Sequence, residues 1–188
     1  MRGAGLLLGC GLLAACAAPP LTLYTLGTPP TAADTVPLER TPMVIALARV
    51  SIQDDLDTAD IIVRDGATLR RSHQGRWASR LSLGITDRLT QRLAARYPRA
   101  LVTDRPLSET PADRILINIG RLDVTTSGNA TLDADWLIVP RNATSPTVRN
   151  RVSFSTTGPV ATDQDVVTLI GTLLDKLADA IEVPGARS

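Results

Sequence analysis

Two facing runs of alternating residues constrain this chain most. From Asp113 to Thr126, Ile115, Ile117 and Ile119 recur at period two; from Thr131 to Val139, Leu132, Ala134, Trp136 and Ile138 share one side, opposite Asp133 and Asp135. Side chains along a strand point alternately to opposite faces, so each run has an apolar side and a polar side. Ser127-Gly128-Asn129 turns one run back on the other. The product is a long antiparallel hairpin with one face that must be covered. Two helical stretches are available to cover it. Leu81, Ile85, Leu89, Leu93 and Tyr97 recur every four residues, in a helix that begins between Ala78 and Leu81 and ends at Pro98. Thr162 and Asp165 have capping-box spacing and open a final helix that runs to about Glu182, before Pro184. Val166, Val167, Ile170, Leu173, Leu174, Leu177 and Ile181 give that helix a wide apolar face.

The remaining segments add strands. Leu21 to Leu26 reads as a strand around Tyr24, and Gly27 to Pro42, with its prolines, as an irregular surface loop. Met43 to Ile52 is apolar enough for a buried central strand. An acidic connection, Asp54 to Asp60, follows it. Ile61 to Arg64 and Ala67 to Arg71 flank Asp65-Gly66, a pair suited to a two-residue type I′ turn, so a hairpin is expected. Ala100 to Thr103 and Thr147 to Ser155 are two further strands. The order predicts an α+β fold: a largely antiparallel or mixed β-sheet with two main helices packed on one face. Aromatic residues are only 3%, so the core is aliphatic, with Trp77 and Trp136 as its largest members. A length of 188 residues fits one folded domain.

The first residues carry an address. Met1-Arg2 is a short positive start, and Gly3 to Ala15 is uncharged and rich in Leu and Ala. As a helix that run reaches roughly 20 Å, too short for a hydrocarbon core of about 30 Å. It therefore reads as a secretory signal rather than a membrane span. Its end, Leu13-Ala14-Ala15-Cys16, resembles the bacterial lipobox. Residues 1–15 are thus expected to be removed, with Cys16 carrying diacylglyceryl and N-acyl groups; Cys10 falls in the removed segment. Residue 17 is Ala rather than Asp, which favours the outer membrane, facing the periplasm. Residues 16–42 then hold the lipidated Cys, a short tether, the first strand and the Pro-rich loop. Residues 43–188, together with the strand at 21–26, form the folded domain.

Chemistry is sparse along the rest of the chain. The net charge of +1 leaves no basic excess for nucleic acid. No Gly-rich phosphate loop, nucleophile elbow or paired-His motif occurs. His73, the single histidine, sits in a polar Ser-His-Gln-Gly stretch and reads as a solvated loop residue. Asp54, Asp55, Asp57 and Asp60 lack the spacing of a calcium loop and read as caps and solvated turn residues. No catalytic residue, metal ligand or cofactor is therefore expected, apart from the covalent lipid on Cys16. Arg88, Arg92 and Arg96 run beside the apolar stripe of the first helix. They read either as a solvated helix face whose stems cover the core edge, or as an interface to anionic headgroups or a partner's carboxylates.

Four segments together resemble the ABC-type transport auxiliary lipoproteins, the PqiC-like family. They are Leu23-Tyr24-Thr25-Leu26 soon after the lipobox; Asp55-Leu56-Asp57 with Ile61-Ile62-Val63-Arg64; Arg76-Trp77-Ala78 before the first helix; and the Ile117 to Trp136 hairpin. Ser79-Arg80 stands where the family often has Glu-Pro, Asp55 replaces a Tyr, and Thr58 an Arg. The resemblance implies a non-enzymatic accessory or docking subunit of a lipid-transport or membrane-integrity system. Its partners would be a mammalian-cell-entry (MCE) domain protein, an associated ABC permease and ATPase or related inner-membrane component, and outer-membrane lipid, with a homo-oligomer as a further option. Arg64 joins Arg88, Arg92 and Arg96 as a candidate interface residue. A periplasmic lipid- or ligand-binding carrier is the alternative.

Overall fold

The computed structural model describes residues 20–27 and 42–186. The lipobox, Cys10, Cys16 and most of the Pro-rich loop lie outside them. Eleven elements follow in chain order: β1 (Thr22–Tyr24), β2 (Val44–Leu47), β3 (Ser51–Ile52), β4 (Asp60–Asp65), β5 (Thr68–Trp77), α1 (Leu81–Arg96), β6 (Leu101–Thr103), β7 (Asp113–Val124), β8 (Asn129–Pro140), β9 (Val148–Thr157) and α2 (Asp163–Ala180). The larger sheet runs β6-β2-β7-β8-β9, with β3 also on β7; the smaller runs β1-β5-β4. A parallel bridge from Arg64 to Thr125 joins the end of β4 to the end of β7. Pairing is mixed: β7, β8 and β9 form an antiparallel meander, while β2, β3 and β6 lie parallel to their neighbours.

Both helices cover one face of this sheet, as α+β patterning required. Ile115, Ile117 and Ile119 of β7 and Leu132, Ala134, Trp136 and Ile138 of β8 are buried beneath α1 and α2. The long apolar face of α2 is buried from Val166 to Ala178, and the four-residue stripe of α1 ends on a buried Tyr97. Thr162 caps α2 as its spacing implied: its Oγ1 accepts from the Asp165 N–H at 3.2 Å and its own N–H donates to Asp165 Oδ2 at 2.9 Å. Among the described residues no helix is long and apolar enough to cross a membrane.

Three local expectations need correction. The strand foreseen over Met43 to Ile52 breaks into β2 and β3, because Thr86 Oγ1 of α1 accepts the Val50 N–H at 3.0 Å and draws that residue off the ladder. The β4–β5 hairpin turns one residue later than expected. Asp65 pairs with Thr68, so Gly66-Ala67 form the turn; φ is +58° at Gly66 and, among the described residues, positive at no non-glycine residue, Ala67 included, which excludes type I′. Finally, Ser72 to Gly75 is a bulge inside β5 rather than a loop after the hairpin. Ser72 Oγ accepts from the N–H groups of Gln74 and Gly75 and donates to Asp163 Oδ2 at 2.8 Å. His73 is exposed, but on this strand.

Candidate functional site

The arginine row of α1 faces α2. Arg88 makes a two-pronged pair with Asp175, Nε to Oδ1 at 3.0 Å and Nη2 to Oδ2 at 2.8 Å, and its Nη1 donates to the Leu26 carbonyl. Arg92 Nε lies 3.3 Å from Asp175 Oδ1 and its Nη2 3.7 Å from Asp179 Oδ1. Arg96 donates to the Ala178 and Asp179 carbonyls and lies 3.5 Å from Glu182. Below this row the Tyr97 hydroxyl donates to the Ile181 carbonyl at 3.1 Å and accepts the Val183 N–H at 3.0 Å, clasping the chain where α2 ends. Arg64, on β4, is 2.8 Å from Asp123 on β7, which Arg121 also approaches at 3.0 Å. The structure thus gives all four candidate arginines carboxylate partners inside the chain. It brings Arg88, Arg92 and Arg96 together along one helix seam and leaves Arg64 apart from them.

The motif segments of the sequence converge at the start of α1. Arg80 at its N-cap offers no side-chain cap, so the cap comes from the acidic connection: Asp57 Oδ1 accepts the Ser82 N–H at 3.1 Å. Ser82 Oγ accepts from Arg49, whose Nη2 also lies 3.3 Å from Asp57. Burial pushes the Asp57 carboxyl up, but the Ser82 hydrogen bonds and the Arg49 and Arg80 charges outweigh it and hold it below the usual 3.8. Nearby, Asp60 takes ion pairs from Arg71 and Arg76. Beside the cap lies a pocket of about 310 Å³, lined by Tyr24 and Leu26, by Trp77 at the end of β5, and by Leu81, Gly84 and Gln91 of α1. Sequence reading had the acidic residues as caps without naming the helix. A cap supplied from 25 residues upstream leaves no local spacing to read.

The opposite face of the large sheet has no helix on it among the described residues. Leu116, Leu137 and Arg149 form one row across β7, β8 and β9; Asn118, Asp135 and Arg151 form the next, with Asn118 donating to Asp135 at 3.1 Å. At its rim β9 presents ten residues paired on one side only, to β8. In the smaller sheet, Leu23 of β1 and Leu21 just before it are exposed at 62% and 59%.

A sheet of mixed pairing roofed by two helices, with its first helix capped from the acidic connection, defines an α+β domain. A family model described as the ABC-type transport auxiliary lipoprotein component matches residues 24–182. The chain belongs to that family. No curated protein sequence matches it. Its fold is similar to the crystal structure of an uncharacterized protein, at 14% identity and a TM-score of 0.68, covering 86% of this chain and 95% of that one. It is also similar to protein XCC0632 from Xanthomonas campestris, at 14% identity and a TM-score of 0.61, covering 84% and 90% of the two chains. At that identity the likeness concerns the fold.

Proposed function

We propose that this chain is a lipid-anchored docking subunit at the outer membrane, facing the periplasm, where it receives the distal end of an MCE-domain protein served by an ABC permease and ATPase. The observation that carries this reading is the family match over residues 24–182. The lipobox at Leu13 to Cys16 supports it. In this reading residues 1–15 are removed and Cys16 bears diacylglyceryl and N-acyl groups, several chains at about 0.8 kcal/mol per buried CH₂ making the anchor lasting. A tether from Ala17 to Leu21 reaches at most about 18 Å, which keeps the domain close to the lipid. Leu21 and Leu23 then face the headgroup region. Anchoring confines the domain to a surface and raises its effective concentration for a partner that spans the periplasm. The partner contact falls to the open sheet face and the β9 rim, because the arginines of α1 already have partners within the chain. The subunit carries out no chemistry of its own.

The test places a photo-crosslinking residue at Ser153 on β9, and separately at Gln91 on α1, in cells. Crosslinking of the MCE-domain protein from Ser153 and not from Gln91 supports the reading. Absence of that protein from both crosslinks and from detergent co-purification overturns it. Cys16→Ser tests the anchor separately: fractionation is expected to find soluble or uncleaved chain, and a variant that still sediments with outer membrane sinks the lipidation.

A further inference from the structure

Asp113 opens β7 on the inward side of the strand, in register between Ile45 of β2 and Pro140 of β8. It is only 6% exposed. Its carboxylate oxygens keep a narrow access to solvent, since they are not among the fully buried unpartnered atoms of the described residues; a carboxylate on so buried a residue is normally met by protein donors. Asp57 has a backbone N–H and two guanidinium groups, and Asp123 and Asp175 each have two arginines. Asp113 has none of these: no hydrogen bond or ion pair reaches its side chain among the described residues, and burial alone acts on its carboxyl. Arg114 lies on the opposite, exposed side of the strand, and Arg141 gives its guanidinium to the Thr110 carbonyl at 3.2 Å.

The carboxylate does have space in front of it. Asp113 lines a pocket of about 420 Å³ at the end of the sheet, with apolar walls from Met43, Ile138, Pro140, Pro146, Val148 and Pro184 and a polar side from Arg141, Asn142 and Ser145. Asp113 is the one carboxylate of a lining that is apolar on most sides, and that combination describes a ligand by complement. We propose that this pocket binds a primary ammonium group on a short aliphatic stem, with Asp113 as its anion. The ammonium supplies both the charge and the N–H donors that the carboxylate lacks, and the stem meets the apolar walls. A quaternary ammonium has no donor and is usually held by aromatic faces, and none of the lining residues here is aromatic. A hard metal ion needs six or more oxygens, and no cluster of three ligating side chains occurs among the described residues. A free alkylamine and the ethanolamine headgroup of a phospholipid share the required chemistry. The inference stands apart from the docking reading, since it rests on neither the sheet face nor the anchor.

Full-length chain in detergent is titrated calorimetrically near neutral pH with n-butylammonium, and with tetramethylammonium as the donor-free control. The expected result is binding of n-butylammonium, at least roughly tenfold weaker binding of tetramethylammonium, and a loss of roughly tenfold to a hundredfold in Asp113→Asn. Ser145→Trp narrows the pocket from its exposed loop without touching the carboxylate; it is expected to weaken binding too, and serves if Asp113→Asn does not fold. Nanodiscs distinguish the sources: preference for phosphatidylethanolamine over phosphatidylcholine assigns the headgroup, and n-butylammonium binding without that preference assigns a free amine. No binding of n-butylammonium, equal binding of tetramethylammonium, or undiminished binding by both variants overturns the proposal.

Discussion

At the scale of single residues, two aspartates show how surroundings set the sign of a charge's contribution. Asp57 is held below the ordinary 3.8 by Ser82, Arg49 and Arg80 against the effect of burial, while burial raises Asp113 above it. For Asp57 the folded state favours the ionised form, so its stabilisation is full above about 3.8 and is lost as pH falls through the depressed folded value. Asp57→Asn should therefore lower the unfolding midpoint at neutral pH, with a deficit that shrinks on acidification. For Asp113 the folded state favours the protonated form, so its ionised cost is full above the raised folded value and gone below about 3.8. Asp113→Asn should raise the midpoint at neutral pH, with a gain that fades as pH falls. Thermal unfolding of the two variants across the acid range checks both slopes; parallel curves would contradict the assignment. Asp113 also had a signal in the sequence. Counted in twos from Ile115, it falls on the apolar side of its strand, and an acid at such a position is out of place.

At the scale of elements, bulges decide which side chains reach the core. Along β7 the buried positions are 113, 115, 117 and 119, then 122 and 124. The parity changes at Gly120: Ile119 pairs with Ala134 and Leu122 with Leu132, so one residue of β7 is extra. Alternation in the sequence marked the isoleucines but not this shift, because a bulge depends on the partner's register. Deleting Gly120 alone would take out the extra residue and leave Leu122 and Val124 inward by simple alternation, whereas deleting Gly120 and Arg121 together would turn both outward. A loss of about 2–4 kcal/mol is expected from unburying the two side chains, read as a lower urea midpoint. An unchanged midpoint after the double deletion would mean that residue parity along β7 does not set the face. Ser72 to Gly75 follow the same logic in β5. A Cβ on Gly75 would come within 2.2 Å of Asp163 Oδ2, so a residue without a side chain stands where α2 begins against the strand.

At the scale of the molecule, the seam between α1 and α2 ties the two helices into one roof. Arg88 is its centre, at 19% side-chain exposure, joining Asp175 of α2 to the Leu26 carbonyl near β1. Arg88→Ala leaves a half-buried carboxylate short of a donor and should cost about 1–3 kcal/mol in chemical denaturation. Arg92→Ala, at the wetter rim, should cost less than about 1 kcal/mol. Equal costs would remove Arg88 from that central role. The sequence by itself determined the element types, both helix stripes, the capping box of α2 and the α+β class, since each follows from spacing between near neighbours on one strand or helix. Tertiary structure alone decided that the arginine row meets carboxylates 83 or more residues away, that Asp57 caps a helix it does not belong to, and that β2, β3 and β6 lie parallel to their neighbours. Those outcomes depend on which faces meet after the chain has closed its long loops, and that information is spread over residues with no fixed separation along the chain.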